Sequence, residues 1–144
     1  NDWGTNFGDT GADGTIELNG DNITVEAGWY LITVNFNEST ITVEETNVWG
    51  IVGSATPNGW GDGPDTKFTP DFGNEGLFIL NNIELVDGEM KFRQNDDWAV
   101  NYGDDGGDLS LELNGANIPV EAGNYSFVLD FSNPESPSYT FTKK

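Results

Sequence analysis

The 144-residue chain has no cysteine and no histidine, and it sets only 5 basic residues against 25 acidic ones, for a formal charge of −20. Each shortage excludes chemistry. Without histidine or cysteine there is no Ser-His-Asp triad, no thiol nucleophile, no disulfide and no conventional zinc or haem site. A surface this negative repels phosphate backbones and anionic lipid headgroups, which disfavours nucleic-acid and electrostatic membrane binding and points to a neutral or cationic partner. No apolar run approaches the roughly 18 residues of a membrane span. The opening Asn1-Asp2-Trp3 has neither methionine nor a leader pattern, so the chain reads as a mature piece or a cut fragment. Lack of cysteine fits the cytosol and the cell exterior equally.

What the chain does have is aromatic residues. Its 9 Phe, 5 Trp and 4 Tyr are too many for a disordered acidic tail and predict a folded, soluble chain. It also repeats itself. Residues 1–36 align without gaps on residues 96–131, with 19 of 36 positions identical, including Asp2-Trp3 on Asp97-Trp98, Asn6 on Asn101 and Glu17-Leu18-Asn19-Gly20 on Glu112-Leu113-Asn114-Gly115. Thr40-Ile41-Thr42-Val43 then corresponds to Ser138-Tyr139-Thr140-Phe141 after a short insertion around Pro134 and Pro137. An offset of 95 residues is domain-sized, larger than a solenoid repeat. Residues 47–144 therefore read as one complete module, and residues 1–46 as the second half of another. Such a half exposes a strand edge and an apolar face. Pairing with another chain through residues 1–46, poor order, or competition with residues 96–144 for the shared first half are the readings left open, the last being a swapped or permuted domain.

Period-2 alternation at Tyr30, Ile32, Val34 and Phe36, and again at Tyr125, Phe127, Leu129 and Phe131, predicts strands with one buried face. Further strands are expected over 15–19, 40–44, 48–53, 77–80, 83–86, 89–94, 109–113 and 138–142. Asp87-Gly88 reads as the turn of a hairpin between 83–86 and 89–94, and Asn19-Gly20 and Asn114-Gly115 repeat that pattern. Segments 54–76 and 96–108 read as loops, and no window has helical periodicity. Short strands separated by turn-rich segments predict an all-β chain, an immunoglobulin-like β-sandwich preceded by half of another.

The residues that carry chemistry cluster between Lys91 and Gly103. Lys91 and Arg93 are two of the three basic residues outside the terminal Lys143-Lys144. At i and i+2 of a strand they share one face, opposite Met90 and Phe92 and toward Trp98 on the following loop. They could simply neutralise neighbouring carboxylates. A tryptophan in a polar, Gly-rich loop is different, because so large a ring normally seeks the core. An exposed indole offers a flat apolar face to the C–H side of a sugar ring, and cationic donors beside it can bond the hydroxyls, so the combination suits a neutral polyhydroxylated ligand. The alternative is that Trp98 plugs one end of the sandwich. Trp60 sits in a second turn-rich loop, as platform or as loop anchor, whereas Trp49 reads as core. The Asp/Gly loops 8–14 and 103–108 invite a calcium reading, but neither has EF-hand spacing or its terminal Glu, and solvated turns are the plainer account. A sandwich of this size offers little enclosed cleft in which to raise the pKa of an acid, so no catalytic residue, cofactor or metal is assigned.

The run Trp49-Gly50-Ile51-Val52-Gly53-Ser54-Ala55-Thr56-Pro57-Asn58-Gly59-Trp60, followed by Lys91-Phe92-Arg93 and Asp97-Trp98-Ala99-Val100-Asn101-Tyr102-Gly103, resembles a domain of the SusE/SusF type, the surface-exposed starch-binding lipoproteins of the Bacteroidetes outer membrane. The resemblance spans 47–144 and extends to 1–46. It implies an array of Ig-like modules that hold starch or another α-glucan noncatalytically at the cell surface for an outer-membrane importer complex. By position it implies binding through Lys91, Arg93 and Trp98, with Asn101 and Tyr102 as neighbours and Trp60 matching the first-loop motif. Trp3, Asn6 and Phe7 match the later half of the motif, where the Lys/Arg strand is missing. No lipobox cysteine is present, so a membrane anchor would lie in an upstream segment. A purely structural spacer is the rival reading.

Overall fold

The computed structural model describes residues 3–61 and 63–144; Asp2, which the repeat aligns with Asp97, lies outside them. The described residues are all-β, without helix, in antiparallel sheets consistent with a β-sandwich. They divide into two compact units, Asn1–Asn47 and Val48–Lys144.

The second unit contains two sheets. Strand β5 (Trp49–Val52) pairs with β6 (Thr66–Lys67) and β9 (Gly88–Gln94), and β9 pairs in turn with β10 (Asn101–Gly103) and β12 (Ile118–Val120). Strand β11 (Glu112–Leu113) extends this sheet from β10. The facing sheet runs β14 (Ser138–Lys143), β13 (Gly123–Asp130), β8 (Leu77–Leu85), β7 (Thr69–Pro70). Alternation decides what lies between them. Trp49, Ile51, Met90 and Phe92 from the first sheet meet Leu80, Ile83, Phe127, Leu129 and Tyr139 from the second, all buried. Trp49 stacks on Phe131 at 4.4 Å, which bears out its expected place in the core.

Several strands differ from the sequence expectation. The strands expected over 77–80 and 83–86 are one strand, β8, which ends at Leu85, and its break is a bulge. Asn82 takes a left-handed φ of 58°, and the register with β13 shifts between Tyr125 and Phe127, so the chain absorbs two polar residues without ending the strand. Asp87-Gly88 is not a hairpin turn. Strands β8 and β9 lie in different sheets, and this corner carries the chain across the sandwich, tied by Val86 N–H to the Ala55 carbonyl (3.0 Å) and Ala55 N–H to the Glu89 carbonyl (3.1 Å). Nor do the Asn-Gly pairs close hairpins: each makes a four-residue turn, with Asn19 and Asn114 at φ 59°, after which the chain leaves the pairing. Strands β6, β7 and β10 fall in segments expected to be loops, being only two or three residues long.

The first unit reproduces the later half of the second. Strand β1 (Phe7–Gly8) pairs with β2 (Glu17–Leu18) as β10 does with β11, and β3 (Tyr30–Asn35) pairs with β4 (Thr40–Glu45) as β13 does with β14. Side-chain bonds repeat as well. Asn6 Nδ2 donates to the Trp3 carbonyl and to Asn19 Oδ1, as Asn101 Nδ2 does to the Trp98 carbonyl and Asn114 Oδ1. Thr10 N–H reaches Glu17 as Asp105 N–H reaches Glu112. Repeated residues thus stand for repeated hydrogen bonds.

Candidate functional site

The candidate site is built on β9. In an antiparallel pair, opposed residues share a face, so Arg93 shares its side of the sheet with Gly50 on β5 and Asn101 on β10, and Lys91 with Val52. This is the face turned away from the core. It is not open to water, however, because the segment after β5 folds back and lays Gly61 and Asp65 over Arg93.

Arg93 is fully buried. Its Nε donates to Asp65 Oδ2 at 2.7 Å and its Nη2 to Asp65 Oδ1 at 2.8 Å, a two-point clamp whose planar fork matches the carboxylate. Nη2 also reaches the Gly61 carbonyl at 2.8 Å. Space for Asp65 comes from Gly50, where a Cβ would stand 2.6 Å from that of Asp65. Asp65 N–H in turn donates to Asp96 Oδ1 (2.8 Å), which also accepts from the Lys67 ammonium. Burial alone would raise the Asp96 pKa, but these two donors, with the charges of Lys67 and Arg93, hold it below the usual carboxylate value.

Trp98 lies on the turn between β9 and β10. Consecutive left-handed residues, Asn95 (φ 56°) and Asp96 (φ 60°), bend the chain there, a conformation that Asn and Asp tolerate better than most side chains. The turn is closed by Gln94 N–H to the Val100 carbonyl (3.0 Å), and Ala99 N–H is capped by Asp97 (2.8 Å). Asn101, buried, holds the Trp98 carbonyl at 2.9 Å. The result places the indole ring over the guanidinium, with Arg93 Cζ 4.5 Å from its centroid, while Trp98 stays 39% exposed. Trp60, half-buried, stands beside it with ring centroids 6.0 Å apart and planes inclined by 33°. Two indoles and a buried cation therefore form one aromatic surface.

The other candidates are placed differently. Lys91 is nearly buried. Loss of hydration lowers its pKa, an effect that Asp105 opposes by charge. Tyr102 opposes Phe92 and turns inward against Trp49 (5.7 Å) and Phe131 (5.3 Å), so it supports the core rather than the Trp98 surface. Asn101 reaches the site only through the Trp98 backbone. Arg93 uses its charge internally and acts on the surface through the ring it carries. Sequence reasoning missed Asp65 and Asp96, since nothing in Gly63-Pro64-Asp65 marks a partner for an arginine 28 residues on.

Elsewhere in the second unit, an apolar cavity of about 460 Å³ lies against Met90, Ile118, Tyr125, Phe127 and Phe141, and none of the six candidate residues lines it. In the Asp/Gly loops the carboxylates serve backbone donors: Asp9 caps Asp13 and Gly14, and Asp104 caps the run from Gly106 to Leu109. Among the described residues no group of three acidic side chains is placed to hold a metal ion. No known protein-family model and no curated protein matches the chain.

Proposed function

We propose that residues 48–144 form a noncatalytic glycan-binding module of immunoglobulin-like type, with the Trp98 and Trp60 rings as its platform. The observation that carries this reading is the half-exposed indole of Trp98 fixed over a wholly buried Arg93, with Trp60 at 6.0 Å. A ring pinned from beneath and held by its own backbone loses little freedom when a sugar stacks on it, which lowers the entropic cost of binding. The charge of −20 favours a neutral ligand. The Tyr125 hydroxyl bonding back to the Glu121 carbonyl (2.9 Å) is the kind of corner found in Ig-like sandwiches. The resemblance to SusE/SusF-type domains adds α-glucan as the polysaccharide, the outer-membrane surface as the place and a glycan importer as the partner.

Since the platform is shallow, each site binds weakly, with affinity on the order of 10⁻⁴–10⁻³ M, and retention on polysaccharide arises from repeated sites. The test is Trp98→Ala. It is expected to abolish retention on insoluble starch while lowering the melting temperature by only a few degrees, because the lost contact with Arg93 is worth about 1 kcal/mol. A large stability loss with retention unchanged would instead make Trp98 a structural plug. A structural spacer is the second reading, favoured by one observation: Arg93 and Asn101 are both occupied by internal bonds.

A further inference from the structure

The first unit carries an apolar face whose counterpart in the second unit is covered. Ile32, Val34 and Ile23 are 58%, 41% and 41% exposed, whereas the residues at the matching repeat positions, Phe127, Leu129 and Ile118, are 1%, 0% and 6% exposed. Phe7 and Phe36 contact edge to face at 5.4 Å, as Tyr102 and Phe131 do at 5.3 Å. In the second unit Trp49 stacks on Phe131 at 4.4 Å, while Phe36 is 67% exposed.

The strand edges match in the same way. Strand β13 is flanked by β14 and β8, and β10 by β11 and β9. Among the described residues, β3 pairs only with β4, and β1 only with β2. The second flanking strands of the second unit, β8 beside β13 and β9 beside β10, come from residues 48–95, and so do Trp49, Phe78, Leu80 and Phe92, which pack on the face.

We infer that residues 1–47 are a docking surface for a half-module of the residues 48–95 type, which adds one antiparallel strand to the edge of β3, another to the edge of β1, and an indole over Phe36. A second copy of this chain is a poor donor. Its own residues 48–95 are already closed by residues 96–144, and releasing them would bare the same apolar face there, leaving the number of uncovered faces unchanged. The occupant is therefore a half-module not closed by a second half of its own. This inference does not depend on glycan binding.

A chain in which a duplicate of residues 48–95 precedes residue 1 tests it, because Asn95 then joins Asn1 as it joins Asp96. Hydrogen exchange of the β3 amides is expected to slow by about 100-fold or more relative to the 144-residue chain, and binding of an apolar dye such as ANS to fall. Phe36→Asp in the duplicated chain should remove that protection from β3 while leaving β13 protected. Unchanged β3 exchange in the duplicated chain would overturn the inference. So would β3 protection in the 144-residue chain itself, accompanied by a dimer in sedimentation, since the face would then be covered by its own kind.

Discussion

Asp65→Ala is expected to destabilise the second unit by about 3–5 kcal/mol, the usual cost of stripping the partner from a buried charge. The arithmetic rests on position. Arg93 and Asp65 have side chains 0% and 2% exposed and meet through two bonds of 2.7 and 2.8 Å, so removing the carboxylate takes both of these bonds from a buried guanidinium. The pair itself contributes less than this loss suggests, because both charges give up hydration on folding. Replacing the two together, Asp65→Leu with Arg93→Met, should therefore recover most of the stability in a urea titration. The double variant should still weaken glycan retention, as Trp98 would lose the cation beneath its ring. A loss under about 1 kcal/mol for Asp65→Ala would mean that Arg93 finds water instead.

The second large effect is expected at Asp104, in the loop between β10 and β11. Its Oδ1 accepts from the N–H groups of Gly106, Gly107 and Asp108, and its Oδ2 from Leu109 N–H and the buried Tyr139 hydroxyl. Asp104→Ala leaves these donors without an acceptor inside the fold and should cost at least about 3 kcal/mol. Burial pushes the Asp104 pKa up, but the backbone donors and Tyr139 outweigh it, and the carboxyl stays below its ordinary value. The sign for stability follows. A carboxyl with a depressed folded pKa stabilises fully above its unfolded pKa of about 3.9, and that contribution disappears as pH falls through the lower folded value. Asp96 adds to the same limb. Stability should be flat from about pH 7 to 5 and fall below about pH 4, with a shallower acid limb in Asp104→Ala. Tyr139, its pKa raised by burial and by Asp104, acts at the other end: its contribution is complete below about pH 10 and is lost above it.

Alternation made β3, β4, β13 and β14 legible, since every second residue of each is apolar and one face of each opposes the interior of its unit or the face that matches it. The repeat made the Asn101 and Asp104 bonds legible in principle, because the same side chains recur at Asn6 and Asp9 with the same backbone partners. What alternation cannot supply is the identity of the layer beyond each face. Lys91 and Arg93 were expected beside Trp98 at a wet surface. They do lie on the outer face of β9, but the segment through Gly61 and Asp65 covers that face, and Arg93 ends fully buried. Asp87-Gly88 misled for a related reason: the dipeptide suits a tight turn, yet whether the flanking strands pair or part is set by which sheet each one's apolar side must join. Tyr102 enters the candidate site only by its position in the resembled motif, whereas its pairing with Phe92 turns it into the core.

The most direct test of the central claim is tryptophan fluorescence of the chain titrated with maltooligosaccharides and, in parallel, with β-glucan oligosaccharides. The account predicts a saturable change with maltooligosaccharides at a dissociation constant on the order of 10⁻⁴–10⁻³ M, absent in Trp98→Ala. No change with any of these sugars up to roughly tenfold above that range, or an identical titration in Trp98→Ala, would contradict it.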